Sequence, residues 1–258
     1  MRTFAERGAK IVATILSFAL ALGTPFETTT FAENGDVATR VAEISNRTKT
    51  SIPKETESET EAEAKRKKAK KEKPKKVVLA GSSSMALWRT AGSAFAPYET
   101  VNVAVGGTTV DYWMDRYEKS IVAKKPDAVV LYVGSNDMWR NPELRGTRNA
   151  RNTQKLIKAI LKRTKRTKVF YVSLLSCMAR QRIWIETSIS NAAMKRFCAK
   201  TNRVFYVDLE PATILKNGNP NPRLFRNDGL HPNAKGYEAW KKVVVPAVKR
   251  ELRKSKKK

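Results

Sequence analysis

Five short apolar runs, three of them closed by glycine, constrain this chain more than any other feature. Val77-Val78-Leu79-Ala80 ends at Gly81, Val101-Asn102-Val103-Ala104-Val105 at Gly106-Gly107, and Ala128-Val129-Val130-Leu131-Tyr132-Val133 at Gly134. Val169 to Leu175 and Val204 to Val207 complete the set. Near-continuous runs of β-branched and aromatic residues suit strands covered on both faces. Helix-like stretches separate them. Asn152 to Arg163 sets Leu156, Ile157, Ile160 and Leu161 on one face, and Ile183 to Lys200 and Ala234 to Leu252 read similarly. Strand alternating with helix predicts a doubly wound α/β sheet of five strands. In such a sheet ligands bind beyond the carboxyl ends of the strands, so the residues directly after each run carry the functional expectation.

Gly81-Ser82-Ser83-Ser84-Met85 follows the first run. A serine at a strand-to-helix turn can project its hydroxyl into the crevice. The helix start beside it offers free N–H groups and a positive dipole end. That suits a nucleophile whose attack creates an oxyanion, although serine is also a preferred helix cap. Gly106-Gly107-Thr108-Thr109 follows the second run. Glycine there lets the backbone aim an N–H at a ligand, or simply makes a tight turn. In Gly134-Ser135-Asn136-Asp137, the Asn136 amide can donate to an oxyanion, and Asp137 can brace the loop. Near the C-terminus, Asn227-Asp228-Gly229-Leu230-His231-Pro232 sets an acid three residues before the chain's one histidine. In a single turn that carboxylate can hold the imidazole's tautomer and stabilise its cation. A lone histidine is more often a surface or satisfied core residue. The flanking glycine and proline and the nearby acid weigh against that here.

Taken in order, Gly-Ser-Ser-Ser, Gly-Gly-Thr, Gly-Ser-Asn-Asp and Asp-Gly-Leu-His-Pro resemble the four blocks of the SGNH (GDSL-like) hydrolases, across roughly residues 77–250. The resemblance implies a flavodoxin-like three-layer α/β/α sandwich around a central parallel five-stranded sheet. It implies a serine esterase or acylhydrolase that works without metal or cofactor. Ser83 would be the nucleophile, His231 its base, and Asp228 the acid that orients the base. The N–H groups of Ser83 and Gly107 and the side chain of Asn136 would form the oxyanion hole. The implied partner is an acyl ester, often acetyl, of a carbohydrate or lipid. The same site could serve an acyltransferase, and an inactive relative could keep the fold as an envelope-binding module; four filled blocks favour turnover. Two departures stand out. Ser82 occupies a position where aspartate is common, leaving three serines whose register rests on Gly81, and Ser83 is preferred to Ser82 or Ser84. Ala104 stands where glycine is common, which bears on the backbone path after the second strand.

The ends differ from the middle. Residues 1–32 read as a signal peptide or N-terminal anchor: Arg2, Arg7 and Lys10 precede an uncharged run, Ile11 to Leu22, and Thr30-Phe31-Ala32 suits a signal peptidase. A run of about 12 residues is short of the roughly 20 that a bilayer span needs. Residues 33–76 lack a sustained apolar period and turn lysine-rich, as a disordered linker would. Residues 77–252 form the expected hydrolase domain and 253–258 a basic tail. The formal net charge is +27. In an exported chain the basic segments point to an anionic envelope polymer or membrane surface. Nucleic acid is disfavoured, because no aromatic residues interleave the lysines to stack bases. Cys177 and Cys198 are expected as two buried thiols rather than a disulfide, and neither cysteine nor histidine has metal-ligand spacing. Trp88, Trp113, Trp139 and Trp184 fall near strand ends and could line an acyl or sugar pocket, although core packing is the commoner role. Arg140 and Arg145 could draw in an anionic substrate, with a solvated loop as the alternative.

Overall fold

In the computed structural model, residues 73–254 are described. The expected signal peptide, the linker up to residue 72 and residues 255–258 of the basic tail lie outside the described residues.

Strands β1 (Lys76–Gly81), β2 (Glu99–Asn102), β3 (Ala128–Tyr132), β4 (Lys168–Val172) and β5 (Val204–Val207) pair in parallel. Their order across the sheet is β2-β1-β3-β4-β5. Each arises from one of the five apolar runs. The central β1 and β3 are buried almost throughout, as continuous apolar runs require. The edge strand β2 starts earlier than its apolar run. Its ladder begins at Glu99, and Glu99 and Asn102 are exposed. Apolar pattern marks burial, not hydrogen bonding, so an edge strand is mislocated by it. Beyond Asn102 the Val103 and Val105 N–H groups still donate to Leu79 and Gly81 carbonyls. β4 ends at Val172, short of Leu175. Past it, Leu174 N–H goes to Asn191 Oδ1 and Leu175 N–H to Tyr132 Oη, so side chains replace the ladder.

Among the described residues, eight α-helices complete the fold: α1 (Ser83–Ala86), α2 (Ala91–Phe95), α3 (Val110–Ser120), α4 (Ser135–Arg140), α5 (Gly146–Arg163), α6 (Trp184–Ala199), α7 (Glu210–Thr213) and α8 (Ala234–Lys254). α5 packs against α3 and α6, while α8 packs against α2 and α7. Right-handed crossovers place these two groups on opposite faces of the sheet, giving three layers. α8 runs to Lys254, two residues past the expected domain end at 252.

The sheet order reverses at β1, between β2 and β3. A crevice opens at the carboxyl ends of strands at such a switch point. Gly81 makes the exit from β1 possible. Its φ is +132°, and a Cβ there would lie 1.9 Å from the Tyr132 carbonyl oxygen on β3. The chain then turns sharply, and Ser82 N–H donates to that same oxygen at 2.9 Å.

Candidate active site

Ser83 is the first residue of α1, carried to the crevice by the Gly81 turn. Of the three serines, only its hydroxyl meets the histidine: Ser83 Oγ lies 2.8 Å from His231 Nε2. Ser82 and Ser84 are buried. Ser82 does not cap α1 with its side chain, so the capping alternative fails at that residue. On the far side of the imidazole, His231 Nδ1 is 2.7 Å from Asp228 Oδ2. The other carboxylate oxygen accepts the backbone N–H groups of Leu230 and His231, each at 2.9 Å. The acid is thereby fixed by its own turn before it orients the ring. Burial acts to raise the Asp228 pKa, but the His231 N–H, the His231 ring and the Leu230 N–H outweigh it and hold the carboxyl down at about 2. Asp228 is therefore a carboxylate across the physiological range.

A second set of contacts holds the histidine loop against the serine. Tyr237, on the first turns of α8, donates its hydroxyl to the Ser84 carbonyl at 2.8 Å. Trp88 stacks on the Tyr237 ring, centroids 6.1 Å apart, and meets Trp240 edge-on at 5.8 Å. Trp88 is thus core rather than pocket wall. Burying an aromatic cluster of this size contributes roughly 1.5–3 kcal/mol per ring. The helix after His231 is so pinned to the helix that begins at Ser83.

The expected oxyanion donors lie at the ends of the first three strands. Neither the Ser83 N–H nor the Gly107 N–H donates to an acceptor among the described residues. Gly107 has φ +73°, and a Cβ on Gly106 would lie 3.8 Å from Ser83 Cβ. Asn136 is buried on the first turn of α4, and its Nδ2 donates to the Thr108 carbonyl at 2.9 Å. One of its two N–H bonds is spent there, leaving the second. Thr108 is itself held: its hydroxyl is 3.1 Å from Gly81 O and accepts Trp113 Nε1 at 3.0 Å. Trp113 therefore braces the second block from the core instead of facing a ligand. Asp137 ties the second and third blocks together, its Oδ1 accepting the Val110 N–H that starts α3 at 2.9 Å. Burial pushes its pKa up. Ala104, where glycine was the commoner residue, has no left-handed backbone; Asn102 Oδ1 accepts its N–H at 3.1 Å, and Asn102 Nδ2 bonds Met85 O.

Arg180 has no motif around it, and the sequence alone did not single it out. It lies in a kinked 3-10 segment, Met178–Ile183, after β4 and is buried. One terminal nitrogen donates to Ser135 O and Ser135 Oγ at 2.8 and 2.9 Å, and the other to Asn136 Oδ1 at 2.7 Å. A guanidinium can only donate, so it settles which end of the Asn136 amide is oxygen. The NH2 end must face Thr108, which leaves its second N–H without a protein acceptor. Only the general rule that loops after strand ends build the site could have flagged it.

The remaining candidates separate cleanly. Arg145 is paired with Glu186 at 2.9 Å, so it is not free to draw a substrate. Trp184 is half-buried and donates to Cys177 O. Trp139 is half-buried beside Arg180 and Arg182. Cys177 and Cys198 are free and buried, and burial pushes both thiols up, to about 11 and about 12. Among the described residues, no group of three or more His, Cys, Asp or Glu is placed to hold a metal ion.

This arrangement, a serine on a sharp strand-to-helix turn with histidine, carboxylate and open N–H donors around it at a sheet switch point, defines a class of α/β hydrolytic site. The sequence matches the GDSL-like Lipase/Acylhydrolase family over residues 79–239. The chain belongs to that family and is a carboxylic ester hydrolase. No curated protein matches it by sequence. Solved structures share the fold. A protein from Bacteroides fragilis assigned as an acylhydrolase is 23% identical with a TM-score of 0.60, covering 72% of this chain and 94% of its own. A GDSL-like lipase from Bacteroides thetaiotaomicron is 22% identical with a TM-score of 0.59, covering 69% and 89%. A variant of an acetyl-xylooligosaccharide esterase from Geobacillus stearothermophilus is 19% identical with a TM-score of 0.54, covering 69% and 94%.

Proposed function

We propose that this is an exported serine esterase that removes an acyl group, acetyl in the first instance, from a carbohydrate or lipid. One observation carries the reading: the unbroken line from Asp228 through His231 to Ser83, at 2.7 and 2.8 Å. Ser83 Oγ attacks the ester carbonyl while His231 Nε2 takes its proton. Asp228 holds the ring and stabilises the imidazolium. The Ser83 and Gly107 N–H groups and the free N–H of Asn136 receive the developing oxyanion. His231 returns the proton to the leaving alcohol, and water then repeats the sequence on the acyl-enzyme. The signal-like N-terminus supports export. Likeness in fold to an acetyl-xylooligosaccharide esterase supports an acetylated carbohydrate as the first substrate to try.

The test is covalent labelling of the full chain with a fluorophosphonate, followed by a panel of 4-nitrophenyl acyl esters and acetylated glycans. Label is expected on Ser83. Ser83→Ala should lose label and roughly a thousandfold or more in turnover. Label on another serine, or near-normal turnover by Ser83→Ala, overturns the assignment.

A further inference from the structure

Three arginines gather on the oxyanion side of the site: Arg140, Arg180 and Arg182. Arg140 is exposed, and its Nη2 lies 3.3 Å from where a Cβ on Gly107 would be, immediately beside the open Gly107 N–H. Arg182 is also exposed. Its guanidinium stacks 3.8 Å above the Trp139 ring and donates once, to the Trp139 carbonyl at 2.6 Å. Arg180 lies behind them, 5.4 Å from the same ring. Burial is the main cause lowering the Arg180 pKa; Tyr132 and Cys177 oppose it, and Arg140 and Arg182 add to it. Arg140 and Arg182 are therefore both near enough to act on Arg180.

Among the described residues none of the three has a carboxylate partner within ion-pair distance, and the Arg140 side chain makes no hydrogen bond. The acid on which Arg140 acts is Asp137, a half-buried group beyond ion-pair distance, whose Oδ1 accepts the Val110 N–H and whose Oδ2 has no hydrogen-bond partner. Arg145, only a few residues along the chain, does have its carboxylate. Leaving like charges uncompensated around a cleft costs stability unless a ligand supplies the counter-charge. Guanidinium groups present their donors as a planar fork that matches a carboxylate, and Arg140 has all five open.

We infer that Arg140 and Arg182, the latter held on the Trp139 ring, form an anion subsite, and that the ester cut at Ser83 carries a carboxylate near the scissile bond. The inference rests on the esterase reading above and adds the charge of the substrate to it. It takes the cationic surface that the sequence assigned to the tails and places a second cationic element at the site itself.

Two matched pairs of substrates test it, with the full chain. For a carboxylate on the alcohol side, acetate release is followed from acetylated glucuronic acid and from its methyl ester. For a carboxylate on the acyl side, 4-nitrophenol release is followed from the 4-nitrophenyl monoester of glutaric acid and from its neutral methyl diester. In one pair the acid should exceed the neutral ester in kcat/KM by roughly tenfold or more at low salt. The ratio should shrink as salt screens the charges. Arg140→Ala and Arg182→Ala should each pull that ratio toward one, and Arg140→Lys should recover part of it by charge without the fork. Equal use of acid and neutral ester in both pairs, with Ser83 labelled normally, overturns the anion subsite alone. No turnover of any ester together with no label on Ser83 overturns the esterase reading beneath it.

Discussion

Replacing Arg180 with methionine removes a buried cation and the three hydrogen bonds it donates to Ser135 O, Ser135 Oγ and Asn136 Oδ1. Bonds from a charged donor are worth about 1.5–3 kcal/mol each, but the variant also recovers the cost of burying an unpaired guanidinium. The net loss of stability should therefore be modest, about 1–3 kcal/mol, and readable as a lower Tm. The effect on turnover has a separate origin. With Oδ1 no longer held, the Asn136 amide is free to rotate, and its NH2 group leaves the crevice for part of the time. A fixed oxyanion donor is worth about 3 kcal/mol in the transition state, so Asn136→Ala should slow kcat by about a hundredfold. Arg180→Met can lose no more than that through Asn136. Since the donor acts on the transition state, kcat should fall while KM changes little. The assay is steady-state hydrolysis of 4-nitrophenyl acetate, a neutral ester that keeps any charge recognition out of the comparison. In the Asn136→Ala background, Arg180→Met should add almost nothing, because the group it positions is gone. If Arg180→Met slows Asn136→Ala by the same factor as it slows the wild type, the positioning argument is refuted.

Other outcomes follow from the same geometry. Asp228 titrates at about 2 in the fold against about 3.9 in an unfolded chain, so it stabilises the native state above pH 4 and loses that contribution as pH falls toward 2. Asp228→Asn should flatten the stability profile in that window, followed by far-ultraviolet circular dichroism, and should lower turnover at pH 7. Gly81→Ala would place a Cβ 1.9 Å from Tyr132 O at a φ of +132°, and should cost more than about 3 kcal/mol, seen as insoluble or thermally labile protein. A soluble Gly81→Ala protein with normal Tm would contradict the turn geometry. Because Cys177 and Cys198 are free thiols, reductant should leave the Tm unchanged; a drop of several degrees would mean a covalent bridge.

What the sequence made legible follows physical lines. β1 and β3 could be read because strands buried on both faces must be apolar at nearly every position. β2 was displaced because its outer residues, Glu99 and Asn102, face solvent. α3 had no readable apolar face, since only Val110 and Trp113 are buried along its eleven residues. Ser83 was legible because it follows β1 directly, and Asp228 and His231 because an acid stands three residues before the sequence's one histidine; the structure brings these three together. Arg180 and Tyr237 were not. Each acts on a partner far along the chain, across 44 residues to Asn136 and 153 to Ser84, and neither carries a local pattern of its own. Arg140 and Arg145 looked alike in sequence, and only the position of Glu186 on α6 separates them.

The hydrogen bond between Ser83 and His231 spans 148 positions, from the first strand of the fold to the loop before its last helix. Closing so long a loop is entropically costly and is repaid only when the sheet and α8 are in place. A chain cut or still emerging between Asn136 and His231 holds the serine, Gly81, Gly107 and Asn136, yet lacks the proposed base. On the proposed mechanism, ester cleavage switches on only at the end of folding. A simple esterase assay on this protein doubles as a clock for completion of the whole domain, and any partial fold, however native its sheet, would be silent in it.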